Sequence, residues 1–372
     1  MIKERFTVTY RLTGDQDLCR EKATNICLEQ TVELGDALVP DGFIRDEIMG
    51  QIVSFQQIDD RIWETDISYL AESSAFELTQ LLNVMFGNSS IKEGIRVEDF
   101  QIGPLLADRF SGPQFGIEGM RKRVDVPHYP LICSALKPMG HGPEQLAEMA
   151  YQFAMGGIDY IKDDHGLSNQ SFCTFEKRVK ACVAAVNRAK EKTGKCSVYV
   201  PNVTAPATEI MERAILAKQL GAGGILIMPG LCGFDTMRAI AEDNRIDLPI
   251  ISHPALLGSM VTSIENGFSH QTIFGKLQRL AGADSSVYPN YGGRFGFSKE
   301  ECLLIVRGCR EDMGYYRPIF PTPGGGMSID SIPELYETYG TEVMFLVGGG
   351  LLDRSEDIAD NARYFLSLID RK

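Results

Sequence analysis

The first hundred residues show the apolar spacing of strands and helices in alternation. Residues 5–12 (RFTVTYRL) alternate apolar and polar positions as a half-buried strand does, and residues 17–34 carry apolar side chains close to helical spacing. Further strand, strand, helix and strand patterns follow at 48–57, 60–70, 73–86 and 95–102. This βαββαβ order predicts a ferredoxin-like α+β domain.

From Leu131 onward the pattern changes to short apolar runs that alternate with amphipathic helical stretches. The eight runs are LICSAL, IDYIK, CSVYV, GILIM, PIISH, DSSVY, RPIF and VMFLV. They follow one another at the spacing of about 30 residues that a βαβ unit needs, and residues 131–372 come close to the roughly 250 residues of a (β/α)8 barrel. The pattern therefore predicts a TIM barrel.

A stretch rich in glycine and proline, residues 103–130, separates the two patterns. Such a stretch is typical of a connection between domains. We therefore predict an α/β protein of two domains. A ferredoxin-like α+β domain is expected at 1–115, and a (β/α)8 TIM barrel that carries most of the active site is expected at 116–372.

Charge and cysteine content narrow the class of protein. With 37 Lys and Arg against 50 Asp and Glu, the formal net charge is −13, and no block of five like charges occurs. This argues against nucleic-acid and membrane partners, so an anionic ligand has to be bound by local groups. The nine cysteines include no CxxC pair and are expected as thiols in a reducing compartment. Since neither a signal-peptide core nor a membrane-spanning run is found, cytoplasmic localisation is expected.

Polar and glycine residues follow the predicted barrel strands. In a barrel, the carboxyl ends of all strands meet at one face, where the chemistry takes place. The residues that the runs deliver there include Lys137, Lys162, Asp163, Asp164, His165, Asn202, His253, Gly324, Gly325, Gly326, Gly348, Gly349 and Gly350. The two glycine triplets follow the seventh and eighth strands, where bare backbone amides commonly bind phosphate. Tight turns are the alternative interpretation of the triplets.

The ionisable residues of this set are candidates for metal binding and proton transfer. Asp164 and a neighbouring group offer the hard oxygen ligands that Mg²⁺ prefers. His165 suits softer cations or proton transfer better, and it is otherwise a structural histidine. Burial of Lys137 would lower its pKa and make it a general acid or base, whereas an exposed Lys137 would be an ordinary surface lysine. His253 is a candidate for proton transfer or phosphate contact, or else a histidine satisfied within the core.

Several motifs resemble the RuBisCO large-subunit superfamily. They are Phe110-x-Gly112-Pro113-x-x-Gly116-Ile117, Leu136-Lys137-Pro138, and Gly156-Gly157-Ile158-Asp159 leading into Lys162-Asp163-Asp164. The similarity continues through Asn202, His253 and both glycine triplets.

This resemblance implies a metal site and a substrate site. Lys162 is expected to be carbamylated by CO₂ and to bind Mg²⁺ together with Asp164, with His165 at the position of a further, glutamate ligand. Lys137 is expected to handle the substrate proton. Asn202 and the glycine triplets are expected to bind a phosphorylated small-molecule substrate.

The resemblance further implies a homodimer in which the first domain of one subunit reaches the barrel mouth of the other. Asn83, in the segment LNVMFG, and Glu29, in the segment LEQT, match first-domain positions that contribute to this shared site. The Glu29 match rests on a shorter, altered motif, and Glu29 is otherwise a solvated helix residue.

Departures from the carboxylase pattern indicate a RuBisCO-like protein of form IV. His165 replaces the metal-binding glutamate, Met139 replaces a second strand-1 lysine, and Pro254 replaces a phosphate-binding arginine. Met139 cannot position CO₂, and Pro254 cannot bind a second phosphate. The resemblance to form IV implies enolisation, isomerisation or decarboxylation of phosphorylated sugar-derived substrates.

Mg²⁺-dependent chemistry through an enediolate is therefore the expected function. Among these reactions we favour decarboxylation of a 3-oxo sugar-acid phosphate, because loss of CO₂ gives the enediolate directly. The alternative is the enolase or isomerase reaction on a methylthio-ketopentose phosphate in sulfur salvage, which needs a base such as Lys137. A noncatalytic sugar-phosphate-binding protein is the third hypothesis, and His165 is the residue that favours it.

Overall fold

The computed structural model describes residues 3–369 and 371. They form two compact units. The first unit contains the residues up to 111 together with 256–277, and the second contains residues 112–255 and those from 278 onward.

The strands are β1 (Arg5–Thr13), β2 (Gln51–Asp59), β3 (Ile62–Leu70), β4 (Ile95–Gln101), β5 (Leu131–Leu136), β6 (Tyr160–Asp163), β7 (Val198–Val200), β8 (Ile225–Ile227), β9 (Ile250–Ser252), β10 (Gly267–Phe268), β11 (Ser285–Pro289), β12 (Phe320–Gly324) and β13 (Met344–Leu346). The α-helices are α1 (Gln16–Glu29), α2 (Leu78–Phe86), α3 (Pro104–Ala107), α4 (Gly116–Val124), α5 (Pro143–Gly156), α6 (Phe175–Thr193), α7 (Ile210–Gln219), α8 (Pro229–Cys232), α9 (Phe234–Glu242), α10 (Leu277–Leu280), α11 (Lys299–Arg310), α12 (Ile332–Tyr339), α13 (Gly349–Leu352) and α14 (Ile358–Ser367). None of the described helices is both long and apolar enough to cross a membrane.

The first unit is built on a five-stranded sheet in the order β10-β4-β1-β3-β2. Its strands β1 to β4 are antiparallel, and β1 buries every second side chain from Phe6 to Leu12, as its alternating pattern predicts. Tyr10 on β1 donates its hydroxyl to Met85 O in α2 at 2.6 Å, which fixes this helix to the sheet. The predicted βαββαβ order is confirmed by this unit.

The helix predicted over 17–34 ends earlier, at Glu29. The buried side chain of the next residue, Gln30, donates from Nε2 to Asn83 O at 2.8 Å and accepts from Ser89 N at 3.0 Å. These bonds tie the end of α1 to the end of α2. The helix thus ends where a polar side chain makes hydrogen bonds to distant residues, and a pattern of apolar positions does not show such bonds.

Residues 256–277 join the first unit although they follow β9 in the chain. The short strand β10 pairs in parallel with β4, and the hydroxyls of Ser269 and Thr272 donate to Glu98 O at 2.7 and 2.6 Å. The predicted division at 115 and 116 assigned this whole segment to the barrel domain. As a division into independently folding domains, 1–115 and 116–372 stays a prediction.

The second unit is a barrel of eight parallel strands. Two four-stranded ladders run in the orders β13-β5-β6-β7 and β12-β11-β9-β8. A parallel bridge between Asn202 and Leu226 joins β7 to β8. β12 and β13 are neighbours, because a Cβ added to Gly324 would lie 3.0 Å from the Leu346 side chain. The predicted α/β fold with a C-terminal (β/α)8 barrel is confirmed.

One set of strand residues fills the barrel interior with apolar side chains. These residues are Leu131, Cys133, Tyr160, Val200, Leu226, Ile251, Val287, Phe320 and Met344. Side chains on a strand alternate between its two faces, so the residue two positions further along points to the same side. Lys162, Asn202 and His253 are therefore on the interior side, at the carboxyl ends of their strands.

A buried carboxylate, that of Asp284, links the barrel strands to α4. This helix closes the end of the barrel opposite to the carboxyl ends of the strands. Asp284 accepts backbone N–H bonds from Phe115 at 2.8 Å, from Gly116 at 2.7 Å and from Ile250 at 2.9 Å. Burial raises the pKa of Asp284 to about 6, although the N–H donors oppose this rise. Its acceptor oxygens anchor the start of α4 under the barrel core.

We expect Asp284→Asn to destabilise the protein. The new amide NH₂ would face a backbone N–H, and an unsatisfied buried donor costs about 1–3 kcal/mol. Urea unfolding followed by circular dichroism measures this loss. Exposed Glu356, changed to Gln, is the matched control and should leave the free energy of unfolding unchanged.

The same variant should also reveal a pH dependence. Because the folded pKa of Asp284 lies above its ordinary value, its stabilising contribution is largest in acid and is lost as the pH rises through about 6. The difference in unfolding free energy between the natural chain and Asp284→Asn should therefore shrink as the pH rises through about 6. An equal difference in unfolding free energy below and above about pH 6 would contradict the raised pKa of Asp284.

Candidate active site

Lys162 lies near the end of β6 inside the barrel, with only 1% of its surface exposed. Its Nζ donates to Asp163 O at 2.9 Å. Burial lowers the pKa of Lys162, because the interior disfavours the ammonium form more than the nearby acidic groups favour it. The lysine is therefore more readily a neutral amine than a surface lysine is.

Asp163 points to the opposite side of β6 and serves the structure. One oxygen accepts from Tyr199 OH at 2.5 Å, and the other accepts from Arg178 Nε at 3.1 Å and from Asn202 N at 3.0 Å. Both carboxylate oxygens are thus engaged outside the barrel interior. Of the two consecutive aspartates, only Asp164 remains for the site.

Asp164 returns to the interior side and is surrounded by cationic or polar groups. Its Oδ1 lies 3.4 Å from Lys137 Nζ and 3.5 Å from His165 Nδ1. Burial opposes ionisation of this carboxyl, but the contact with His165 and the charges of Lys137 and Lys162 outweigh burial and hold its pKa well below the ordinary value. Asp164 is therefore an anionic oxygen ligand or a charge partner for Lys137.

The two histidines of the predicted site stack on each other. The rings of His165 and His253 are 4.6 Å apart with an angle of 20° between their planes. Burial first, and then the positive charges of Lys162 and His165, lower the pKa of His253 well below its usual value. Ala255 N donates to His253 Nδ1 at 3.3 Å, so the neutral ring carries its proton on Nε2.

Asn202 is held by the backbone. Its Nδ2 donates to His165 O at 3.1 Å and to Leu167 O at 2.9 Å, and its Oδ1 accepts from Thr204 N at 3.1 Å. The side chain therefore supports the loop after β6. The substrate contact expected of Asn202 stays a prediction, and the amide also holds the backbone of His165.

The two glycine triplets lie side by side at the ends of β12 and β13. A Cβ added to Gly350 would lie 2.8 Å from Met327 O, the residue after the first triplet. Gly325 and Gly326 have φ angles of +88° and +102°, which side chains other than glycine rarely adopt. A Cβ added to Gly348 would lie 4.0 Å from Lys137 Nζ. The triplets therefore bring open backbone next to the predicted proton-transfer lysine.

The loop after β11 contacts the first triplet, and the sequence analysis did not single it out. Arg294 N donates to Gly325 O at 3.2 Å, and a Cβ added to Gly325 would lie 2.9 Å from the Phe295 ring. The sequence signal was the motif YGGRF directly after a barrel strand.

The two predicted first-domain residues lie within the first unit. Glu29 accepts from Asn88 Nδ2 at 3.0 Å and pairs with Lys92 at 3.3 Å, and these contacts lower its pKa. Asn83 donates from Nδ2 to Gln80 Oε1 at 3.4 Å. Their contribution to a shared site stays a prediction.

The predicted Mg²⁺ site depends on Lys162. Residues 3–369 and 371 contain no group of three His, Cys, Asp or Glu side chains placed to hold a metal ion. The lowered pKa of Lys162 favours the neutral amine that reacts with CO₂, and ionised Asp164 projects from the same side of the strand end. A carbamate on Lys162 and the Asp164 carboxylate would offer the anionic oxygens that suit Mg²⁺, whereas His165 would add a nitrogen. The donor set fits through Lys162 and Asp164, and ligation by His165 stays a prediction.

A model of a known protein family matches the part of the chain that carries several of the candidate site residues. The family model for the ribulose bisphosphate carboxylase large chain, catalytic domain, matches residues 116–293. This range contains Lys137, Lys162, Asp164 and His253.

Individual relatives extend the similarity to nearly the whole chain. The 5-methylthioribulose-1-phosphate isomerase of Rhodospirillum rubrum is 31% identical over 367 residues, which cover 98% of this chain and 96% of that protein. The 2,3-diketo-5-methylthiopentyl-1-phosphate enolase of Bacillus licheniformis is 32% identical over 327 residues, covering 86% and 80%. The crystal structure of a Rubisco-like protein from Rhodopseudomonas palustris superposes with a TM-score of 0.88 and 31% identity, covering 99% and 98%.

These similarities confirm the expectation of an enzyme of the RuBisCO-like class, since the relatives with a stated activity are an isomerase and an enolase. They extend beyond the barrel to the first unit. The chain belongs to the RuBisCO large-chain family, in its RuBisCO-like branch, form IV.

Proposed function

We propose that this enzyme moves a proton next to the ketone of a methylthio-ketopentose 1-phosphate, as an isomerase or an enolase. The observation that carries the proposal is the position of Lys137. Its Nζ lies 3.4 Å from the ionised Asp164 and next to Gly348 of the second glycine triplet. A substrate whose phosphate is bound at the triplets would place its adjacent carbons at this lysine.

In this proposal Lys137 is the base. In its deprotonated form it takes the proton from the carbon beside the ketone, the C–H electron pair forms the C=C bond, and the carbonyl π electrons move to the oxygen. This gives the enediolate, and Asp164 stabilises the ammonium that forms on Lys137. Return of the proton to the neighbouring carbon completes an isomerisation, whereas release of the enol completes an enolisation.

The remaining groups act on the developing oxygen charge. The Nε2–H of neutral His253 is free of the Ala255 contact and donates toward the substrate oxygen. Mg²⁺, bound through a Lys162 carbamate and Asp164, would polarise the ketone and stabilise its negative oxygen. His165 contacts Asp164 and stacks on His253, so it orients both groups.

Decarboxylation of a 3-oxo sugar-acid phosphate, which we favoured from the sequence, is less well supported. The isomerase and the enolase named above match this chain over most of its length, and both names describe methylthio-substituted phosphates. A noncatalytic binding protein is disfavoured because these relatives are enzymes. A direct assay separates the remaining reactions.

The assay offers 5-methylthioribulose 1-phosphate, 2,3-diketo-5-methylthiopentyl 1-phosphate and a 3-oxo sugar-acid phosphate to the enzyme in D₂O with Mg²⁺ and bicarbonate. We expect one of the two methylthio compounds to be converted, with deuterium entering beside the ketone, as NMR detects. Lys137→Met should reduce this exchange by about 10²- to 10⁴-fold, the usual contribution of a general base. Exposed Lys180, changed to Met, is the control. Conversion of the sugar acid alone, with release of CO₂, would overturn the proposal.

Lys162→Ala and Asp164→Ala should each reduce turnover at least about 100-fold, because each removes an anionic oxygen from the metal site. EDTA should inhibit the natural enzyme, and Mg²⁺ should restore it. His165→Ala should retain more activity than Asp164→Ala. Labelling with ¹³CO₂ should give a carbamate signal in ¹³C NMR that is lost in Lys162→Ala. Full activity of Lys162→Ala or of the metal-free enzyme would refute the metal-dependent mechanism.

A homodimer with shared sites is the assembly we propose from the family resemblance. Asn83→Ala and Lys162→Ala should each be inactive alone, but a mixture should regain activity, because each mixed dimer then has one intact site. Random exchange between equal amounts predicts about a quarter of the natural activity. Separately purified chains, mixed after gentle dissociation, allow the measurement. Two variants that both lack Lys162 are the control, and no recovery in the first mixture would argue for sites within single chains.

A further inference from the structure

We propose that Arg294, in the loop after β11, binds the phosphate of the substrate above the glycine triplet at the end of β12. The inference rests on the proposed function only in taking the substrate to be a phosphate ester. It adds a second cationic side chain, besides Lys137, to a site that otherwise offers backbone groups.

The position of Arg294 follows from a backbone contact with the triplet. Its N–H donates to Gly325 O at 3.2 Å. A Cβ added to Gly326 would lie 3.1 Å from Arg294 N and 3.4 Å from its Cγ. The stem of the arginine thus runs directly beside Gly326, and a larger residue at 326 would displace it.

Phe295 keeps the guanidinium of Arg294 near the first glycine triplet. The Arg294 guanidinium carbon lies 5.3 Å from the centre of the Phe295 ring, within the range of a cation–π contact. The same ring edge is 2.9 Å from the position of a Cβ on Gly325. The aromatic ring is therefore close to both the triplet and the guanidinium, and it limits the volume that the exposed arginine samples.

The charge of Arg294 is available for a ligand. Among residues 3–369 and 371, Arg294 makes no ion pair with a carboxylate, and its guanidinium lies over the Phe295 ring. Lys137, the other cation beside the triplets, lies 3.4 Å from Asp164 and is partly neutralised by it. A phosphate dianion on a chain of net charge −13 requires a local positive charge, and Arg294 supplies it.

Arginine also suits the shape of the ligand. Its planar guanidinium donates two parallel N–H bonds to two phosphate oxygens, whereas lysine donates from a single point. The backbone amides of the glycines would bind the phosphate from one side and Arg294 from the other. Phosphate binding would then join the loop after β11 to the end of β12.

The decisive experiment measures inorganic phosphate binding by calorimetry to the natural enzyme, Arg294→Gln, Arg294→Lys and the control Lys299→Gln. Lys299 is a matched cation in the same region, with its Nζ 5.5 Å from the Tyr291 ring. We expect Arg294→Gln to weaken phosphate binding by about 10- to 100-fold, the effect of losing a charge-assisted pair of hydrogen bonds. Arg294→Lys should lie between this variant and the natural chain, and Lys299→Gln should bind as the natural chain does.

Turnover of the methylthio substrate provides the second measurement. Arg294→Gln should raise KM by a similar factor and leave kcat within about threefold, because the phosphate contact is made equally before and during the reaction. Equal phosphate affinity in Arg294→Gln and Lys299→Gln, or no phosphate binding by the natural enzyme, would overturn the inference. If the natural enzyme binds phosphate but converts none of the substrates, the proposed function fails, and the calorimetry still decides the role of Arg294.

Discussion

The geometry of the candidate site depends on a carboxylate that does not face it. Asp163 is wholly buried, and Arg178, Tyr199 and the backbone of Asn202 saturate its two oxygens. Removing one partner of a buried ion pair costs about 3–5 kcal/mol, because the remaining charge is left without compensation. The strand end is thereby fixed from the helix side of the barrel. Asp164, one residue further, faces the barrel interior, and its carboxylate is not needed to hold the strand end in place.

Three ionisable groups then take different protonation states within the same few ångströms. The interior depresses the pKa of Lys162 and of His253, whereas the cations around Asp164 hold its pKa low in spite of burial. Burial therefore favours the neutral forms of Lys162 and His253, whereas Asp164 is favoured as the anion. Groups whose pKa values are strongly shifted by burial and by nearby charges are typical of sites for proton transfer.

Much of this arrangement could be predicted from the sequence. An apolar run that ends in polar residues is sufficient to identify a barrel strand and its functional end, and the alternation along β6 separates Lys162 from Asp163 in principle. Hydrogen-bond partners from distant segments could not be predicted. Arg178 lies fifteen residues beyond Asp163 on a helix, and the amide of Asn202 donates to the backbone of His165, 37 residues earlier in the chain. Periodicity records which face a residue occupies, but not which group it meets there.

The chain path of residues 256–277 has a consequence for the order of folding. The sheet of the first unit is complete only when β10 pairs with β4, and β10 follows β4 by more than 160 residues. During synthesis the amino-terminal half of the chain emerges first, but its sheet keeps an open edge at β4 until five barrel strands have been made. The sheet of the first unit therefore cannot be completed before the chain has been synthesised as far as Phe268.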